Sequence, residues 1–345
     1  MKFYTIAFLV LPGVMMMQCR SDKNRMMTDR MALIPGGIFI MGNKNDTIYT
    51  REGSAYQVKL DSFYMDKTEV TNDEFALFVK ETKYKTVAER PIDWEEIKKQ
   101  LSPGTPKPDD AMLQPGSLIF DPAKKIENLY DISQWWSWQT GADWRHPNGP
   151  GSSIEGKGNH PVVHVSFEDA QAYAKWAGKR LPTEAEWEYA CRGGKPNQQY
   201  AWGDQLTPDG KYLANFFQGT FPGNNALLDG FATTSPVKTF SANPYGLYDM
   251  IGNVWEWTND WYSNDTHLQN KRRSGTQVCF NPSGPAKSND PREPLVPKRV
   301  VKGGSFLCSE QYCSNYRPDS RVATPFDSGQ EHLGFRCVKD VNPKN

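Results

Sequence analysis

The sequence predicts an α+β domain that is irregular, rich in loops and poor in regular secondary structure. Two observations point to this fold class. The 345 residues include 28 Gly and 25 Pro, which favour turns, together with 11 Trp, 15 Tyr and 17 Phe. The apolar patterns along the chain are short, and they alternate between strand-like and helix-like periods. Large aromatic side chains must therefore anchor the core of a chain that turns often.

The first 19 residues are typical of an export signal of the lipoprotein type. Lys2 precedes an apolar run over 3–17, which is shorter than a membrane-spanning helix requires. Cys19 follows this run and resembles the lipidated cysteine of bacterial lipoproteins, although Gln18 stands where a small residue is expected. We therefore expect an exported protein in the cell envelope, in the periplasm or at the outer membrane, held by a lipid anchor.

We divide the chain into this signal (1–19), a linker (20–31) and one large domain (32–340). An exported domain meets an oxidising compartment, in which a structural disulfide persists. The 40 basic and 40 acidic residues cancel without forming a basic stripe, so there is no electrostatic case for nucleic-acid binding. Membrane contact is expected only through the lipid anchor.

Short strands are predicted where alternating apolar residues are bounded by Gly or Pro. These segments are 32–35, 37–42, 56–60 and 63–65, followed later by segments around Val237, 254–257 and 300–302.

Three helices are predicted from their capping signals. The caps and stops are Thr71 with Glu74 for the first helix, Ser166 and Gly178 for the second, and Thr183 with Glu186 and then Gly193 for the third.

The segment 85–160 lacks clear periodicity and contains a tryptophan cluster, and we interpret it as a long ordered insertion. Long insertions are often functional, but simple surface packing explains this one equally well. The cluster consists of Trp135, Trp136, Trp138 and Trp144.

Two cysteines near the C-terminus, Cys308 and Cys313, follow a Gly-Gly-Ser bend at 303–305. The glycines let the backbone turn tightly, and Ser305 places a hydroxyl at the bend. Two thiols on a short loop can form a small disulfide, act as a redox pair or hold a soft metal ion such as Cu(I). Their spacing alone leaves all three options open.

Four motifs together resemble the sulfatase-modifying factor family, which includes formylglycine-generating enzymes. They are RLPTEAEWEY (180–189), YGLYDMIGNVWEW (245–257), GGS (303–305) and LGFRC (333–337). The resemblance extends from about residue 34 to residue 337 and is weakest over 85–135. It implies an irregular C-type-lectin-like fold.

The resemblance also implies an oxidoreductase that uses O₂ and Cu(I). In this family the counterparts of Cys308 and Cys313 bind copper and oxidise a cysteine in a Cys-x-Pro-x-Arg motif of client sulfatases to formylglycine. The partner is then a sulfatase polypeptide. By the same resemblance, Ser305 and Arg321 are polar active-site residues and Glu69 lines the substrate groove.

Two calcium sites and one disulfide are implied in the same way. Calcium binds six to eight oxygen ligands, which side chains and backbone carbonyls supply together. The first set is Asn215, Phe216, Asp229 and Phe231, and the second is Asp249, Gly252, Val254 and Glu256. The implied disulfide joins Cys191 to Cys337, which leaves Cys279 without a counterpart.

Two other functions compete with this one. A non-catalytic envelope lipoprotein, acting as a scaffold or binding module, would use the same fold with the thiols as a plain disulfide. A non-haem iron sulfoxide synthase would need a histidine cluster. The five histidines, at 146, 160, 164, 267 and 332, form no such cluster in the sequence, which disfavours that alternative.

Overall fold

The structure is a computed structural model that describes residues 30–42, 55–121, 126–128, 131, 134–274 and 277–341. Its described residues form short strands and helices separated by long connections, so the predicted loop-rich α+β architecture is confirmed. The strands are β1 Met31–Ile34, β2 Gly37–Met41, β3 Tyr56–Leu60, β4 Phe63–Asp66, β5 Gly116–Phe120, β6 Trp136–Thr140, β7 Gly219–Thr220, β8 Asn224–Asn225, β9 Trp255–Trp261, β10 Cys279–Phe280, β11 Lys298–Lys302, β12 Val322–Pro325, β13 Leu333–Gly334 and β14 Val338–Asp340. The helices are α1 Asn72–Thr82, α2 Trp94–Ile97, α3 Phe167–Trp176, α4 Glu184–Arg192 and α5 Thr266–Ser274.

The strands form small sheets rather than one large one. Their orders are β1-β4-β14, β10-β3-β2 and β12-β11-β9-β13, and two hairpins pair β5 with β6 and β7 with β8. In the four-stranded sheet, β9 is central: it pairs antiparallel with β11 and parallel with β13. This sheet carries the Gly-Gly-Ser bend, which begins directly after β11.

The predicted capping signals are all present at the helix starts. The side chains of Thr71, Ser166 and Thr183 each accept a hydrogen bond from the backbone N–H of the residue three positions on. The acidic side chain of that residue in turn accepts from the backbone N–H of the capping residue. Gly193 ends α4 in a left-handed conformation with φ of 59°, which glycine adopts without strain. These local signals can be predicted from the sequence because they involve residues close together in the chain.

Buried aromatic rings fill the core between the sheets and helices. Phe75, on α1, lies 5.3 Å from Phe78, 5.2 Å from Trp144 and 6.5 Å from Phe335, measured between ring centroids. Elsewhere the Trp257 indole N–H donates to the Val165 carbonyl at 3.0 Å, so the polar group of this buried side chain has a hydrogen-bond partner.

One sequence expectation is corrected by the structure, and another lies outside the described residues. Val237 lies in a turn rather than a strand, because its N–H donates to the Asn159 carbonyl (2.9 Å) instead of to a ladder partner. The signal 1–19 and Cys19 lie outside the described residues. Within the residues that the structure describes, no helix has both the length and the apolar character to cross a membrane.

Replacing Phe75 by alanine should destabilise the fold strongly, because the side chain is fully buried and its removal leaves a cavity. We expect a loss of about 3–5 kcal/mol in the free energy of unfolding, measured by urea denaturation. Leu77→Ala is the matched control, since Leu77 is on the same helix but is 48% exposed. Equal losses in the two variants would contradict this description of the core.

Candidate active site

The cysteine loop, defined as residues 303–313, begins with a bend that only glycine fits well. Gly303 and Gly304 have φ values of 99° and 76°. A Cβ on Gly304 would lie 3.0 Å from the Tyr316 backbone. The loop then folds onto itself, with the Cys308 N–H donating to the Ser305 carbonyl at 2.9 Å. The bend therefore places Ser305 next to the first cysteine.

The two thiols of the loop face each other. Their Sγ atoms are 2.7 Å apart, which is longer than the S–S bond of a disulfide, about 2.05 Å. Cys308 is buried and Cys313 is half-buried, and Asn315 donates to the Cys313 sulfur at 3.2 Å. The predicted pair is thus brought together, with one sulfur close to solvent.

The loop holds Cys308 as a thiol at neutral pH. Burial raises the pKa of Cys308 well above its ordinary value, and the neighbouring Cys313 raises it further. Hydrogen bonding to the Ser305 backbone acts in the opposite direction on this pKa. A bound metal cation would reverse the balance, because it favours the thiolate.

A histidine that the sequence analysis did not select lies beside Ser305. His332 Nδ1 is 2.9 Å from Ser305 Oγ, and its Nε2 is 2.9 Å from Gln330 Oε1. Sequence reasoning missed this residue because His332 is 27 positions away from Ser305 and belongs to no local motif.

Aromatic rings from distant segments border the loop. Tyr312, beside Cys313, stacks on Phe221 at 5.0 Å and meets Trp135 edge-on at 5.1 Å. Trp135 comes from the insertion 85–160, so this segment contributes to the surroundings of the thiols. A cavity of about 400 Å³ on the loop is lined in part by Phe217, Leu228 and the exposed loop residues Glu310 and Gln311.

The role expected for Glu69 at a substrate groove stays a prediction, and the structure places this residue in the interior. Glu69 is fully buried. Its Oε1 accepts from Asn253 Nδ2 at 3.0 Å, and its Oε2 lies 3.7 Å from Arg336. Glu69 thus belongs to the buried charged group that includes Arg336.

The active-site role expected for Arg321 likewise stays a prediction, and its contacts in the structure are with buried groups. Its Nε and Nη2 donate to the two carboxylate oxygens of Glu184 at 2.7 and 2.9 Å, and its Nη1 donates to the Ser263 carbonyl at 2.9 Å. All three guanidinium nitrogens are therefore engaged at the start of α4. This bidentate pair gives Arg321 a structural role.

Asp260 next to this pair offers a pH test of the buried cluster. Its Oδ2 accepts from the Glu184 backbone N–H at 2.9 Å. Burial raises the pKa of Asp260 to about 7, and the charge of Glu184 adds to the rise. Between about pH 4, where the unfolded side chain loses its proton, and about pH 7, the folded state binds more protons than the unfolded state. The free energy of unfolding must then fall as the pH rises through this window.

Asp260→Asn should remove that component of the pH dependence, since asparagine keeps an acceptor for the Glu184 N–H but does not titrate. The measurement is urea denaturation at several pH values between 4.5 and 7.5, with the exposed Glu155→Gln as control. A slope in Asp260→Asn equal to that of the wild type would show that Asp260 does not titrate in this window.

The predicted calcium residues form two neighbouring groups. In the first, the Asp229 carboxylate accepts from the N–H groups of Phe216 and Phe231 at 2.9 and 3.0 Å, while Asn215 Oδ1 is buried without a hydrogen-bond partner. In the second, Asp249 Oδ1 is likewise buried without a partner. Such orphaned oxygens are costly and suit a cation.

The second group has one member that is already satisfied. The Glu256 carboxylate accepts from Arg336 Nε and Nη2, both at 2.7 Å, and from the Trp187 indole at 2.8 Å. Among the described residues, no group of three or more His, Cys, Asp or Glu side chains is arranged to hold a metal ion. Any calcium here would depend heavily on amide and backbone oxygens.

Outside the cysteine loop, the three cysteines among the described residues are free thiols. Cys191 and Cys337 are both buried, and the Cys191 sulfur lies 4.0 Å from the Met250 carbonyl. The expected Cys191–Cys337 disulfide is therefore absent from this structure, and the pairing stays a prediction. Cys279 is a half-buried thiol on β10.

Comparison with solved structures shows the class of fold. The chain is similar to PvdO from Pseudomonas aeruginosa, with a TM-score of 0.56, 23% identity, and coverage of 90% of this chain and 94% of PvdO. The predicted irregular C-type-lectin-like fold is confirmed. At this identity the likeness concerns the fold alone.

Comparison of sequences shows the family. The sulfatase-modifying factor enzyme 1-like domain matches residues 17–341, so the chain belongs to the sulfatase-modifying factor family. It is 43% identical over 315 residues to the formylglycine-generating enzyme of Mus musculus, covering 91% of this chain and 76% of the relative. It is 45% identical over 307 residues to that of Mycobacterium tuberculosis, covering 89% and 96%. It is also 36% identical over 314 residues to inactive C-alpha-formylglycine-generating enzyme 2 of Mus musculus, covering 90% and 86%.

Proposed function

We propose that this chain oxidises a cysteine in a Cys-x-Pro-x-Arg motif of a client sulfatase to formylglycine. The observation that carries the proposal is the pair of facing thiols, Cys308 and Cys313, at the partly exposed end of the cysteine loop. Relatives named formylglycine-generating enzyme, at 43% and 45% identity, support the same function.

The donor set of the loop suits a soft monovalent ion. Thiolates are preferred ligands of Cu(I), and the loop brings two cysteine sulfurs next to each other, from where they can separate to hold an ion between them. Cys308 and Cys313 would hold the ion, which when bound supplies the site with the ability to reduce O₂. Binding releases the thiol protons, because the ligands must be deprotonated, and the affinity should therefore rise with pH.

The overall reaction balances with O₂ and an external thiol reductant. The substrate –CH₂–SH group loses two electrons and two protons to become a thioaldehyde, and two reductant thiols supply two more electrons as they join in a disulfide. One O₂ takes up these four electrons and four protons to give two waters. One water hydrolyses the thioaldehyde to the aldehyde and releases H₂S. The aromatic rings of Tyr312 and Trp135, beside Cys313, would shield the reacting carbon from bulk water.

The decisive experiment tests copper binding and turnover together. The reduced protein should bind one Cu(I), and Cys308→Ser or Cys313→Ser should weaken binding sharply, since one protein sulfur alone holds Cu(I) poorly. Mass spectrometry of a Cys-x-Pro-x-Arg peptide with copper, O₂ and a thiol reductant should show an aldehyde in place of the thiol. Cys279→Ser is the matched control, a half-buried thiol outside the loop, and should keep both properties.

Failure of this experiment has two distinct forms. Absence of copper binding by the reduced wild type would refute the oxidase. Copper-loaded protein that binds the peptide without oxidising it would favour a non-catalytic scaffold, and the similarity to a relative named inactive gives that outcome a precedent in the family.

We also propose that calcium stabilises the fold at the two groups around Asn215 and Asp249. A ligand that binds only the native state at a hundred times its dissociation constant adds about 2.7 kcal/mol. Chelator should therefore lower the melting temperature, and added calcium should restore it. An unchanged melting temperature, with no calcium found by elemental analysis, would rule out the sites. Export and lipidation at Cys19 stay predictions.

A further inference from the structure

The hydroxyl of Ser305 is held by groups on both sides. Its Oγ is 2.9 Å from His332 Nδ1 and accepts from the Leu307 N–H at 3.2 Å. Ser305 is fully buried, and its carbonyl accepts from the Cys308 N–H. Ser305 therefore contacts the imidazole through its side chain and the first cysteine of the loop through its backbone.

The hydrogen-bond partners of His332 determine which of its nitrogens carries the proton. Nε2 lies 2.9 Å from Gln330 Oε1, an oxygen that can only accept, so Nε2 bears the hydrogen. In a neutral imidazole Nδ1 is then an acceptor, and Ser305 must be the donor. Burial lowers the pKa of His332 to about 3, so the ring is neutral at physiological pH.

The imidazole ring is also held in place by its surroundings. The Trp136 ring lies 4.8 Å from it and the Phe306 ring 6.4 Å, both edge-on. The His332 carbonyl accepts from the Trp255 N–H at 2.8 Å, which fixes the backbone against β9. The backbone hydrogen bond and the two ring contacts hold the imidazole in place. It can therefore hold the Ser305 hydroxyl in one orientation.

We propose that His332 is a positioning residue that directs the Ser305 hydroxyl proton away from the thiol pair. With this proton committed to Nδ1 and one lone pair committed to Leu307, Ser305 presents an acceptor, not a donor, to the cysteine loop. The role of Ser305 in turnover rests on the proposed function, whereas the orientation of its hydroxyl does not.

The activity test is a double-mutant cycle with the peptide substrate. Ser305→Ala and His332→Ala should each lower kcat about tenfold, roughly the effect of one hydrogen bond, with KM unchanged. The double variant should lose no more than either single variant, because both remove the same interaction. His332→Asn should keep most of the activity, since asparagine offers an acceptor close to the position of Nδ1.

The control is His160→Asn, because His160 makes a similar contact, 3.0 Å from Thr234 Oγ1, outside the cysteine loop. It should leave kcat unchanged. Additive losses in the cycle, or His332→Asn as inactive as His332→Ala while both melt like the wild type, would overturn the proposal.

A second readout does not depend on turnover. Nitrogen-15 NMR of the histidine rings should show His332 with its proton on Nε2, and Ser305→Ala should move the Nδ1 shift toward that of a free acceptor. Gln330→Leu keeps the ring but removes the Nε2 partner, and it should populate the Nδ1–H form. A wild-type proton on Nδ1 would overturn the inference. If the wild type fails to oxidise the peptide, the proposed function fails while this measurement still decides the role of His332.

Discussion

The buried guanidinium of Arg336 is the group on which the rest of the structure depends. It is fully buried, and it donates twice to Glu256 at 2.7 Å and also to the carbonyls of Asp66 and Tyr248 at 3.3 and 3.0 Å. These partners lie on β9, on β4 and in the segment before β9. Removing one partner of such a buried pair leaves an unpaired charge in the core, which lowers the free energy of unfolding by about 3–5 kcal/mol. One side chain thus ties three parts of an irregular fold together.

The cysteine loop is supported by the segment that this pair holds in place. The Gly252 N–H donates to the Gly303 carbonyl at 2.9 Å, and the Phe306 N–H donates to the Asn253 carbonyl at 3.0 Å. Asn253 in turn donates to Glu69 at 3.0 Å and faces Asn215, whose carbonyl accepts from its N–H at 2.8 Å. The charged core, the candidate calcium groups and the thiols therefore form one connected structure. Loosening the core would change the loop without altering any residue in it.

What could be predicted from the sequence was local. Capping boxes, the helix stop at Gly193 and the facing thiols of Cys308 and Cys313 each depend on residues a few positions apart, and the structure contains all of them. The buried partners of Glu69 and Arg321 could not be predicted, because a charge near a motif gives no sign of whether it meets solvent or a buried group. His332 was missed because its contact with Ser305 exists only after β13 has paired with β9.

Fold and chemistry are separable in this protein. The Arg336–Glu256 pair, the small sheets and the capped helices use neither thiol of the cysteine loop. Membership in the family therefore constrains where a reaction would occur more than whether it occurs. Under the proposed function, the reaction depends on a few atoms at the end of the cysteine loop: two sulfurs, the Ser305 hydroxyl and the imidazole that we propose orients it. Their arrangement is specific because a neutral, buried histidine can hold only one of its two nitrogens as an acceptor.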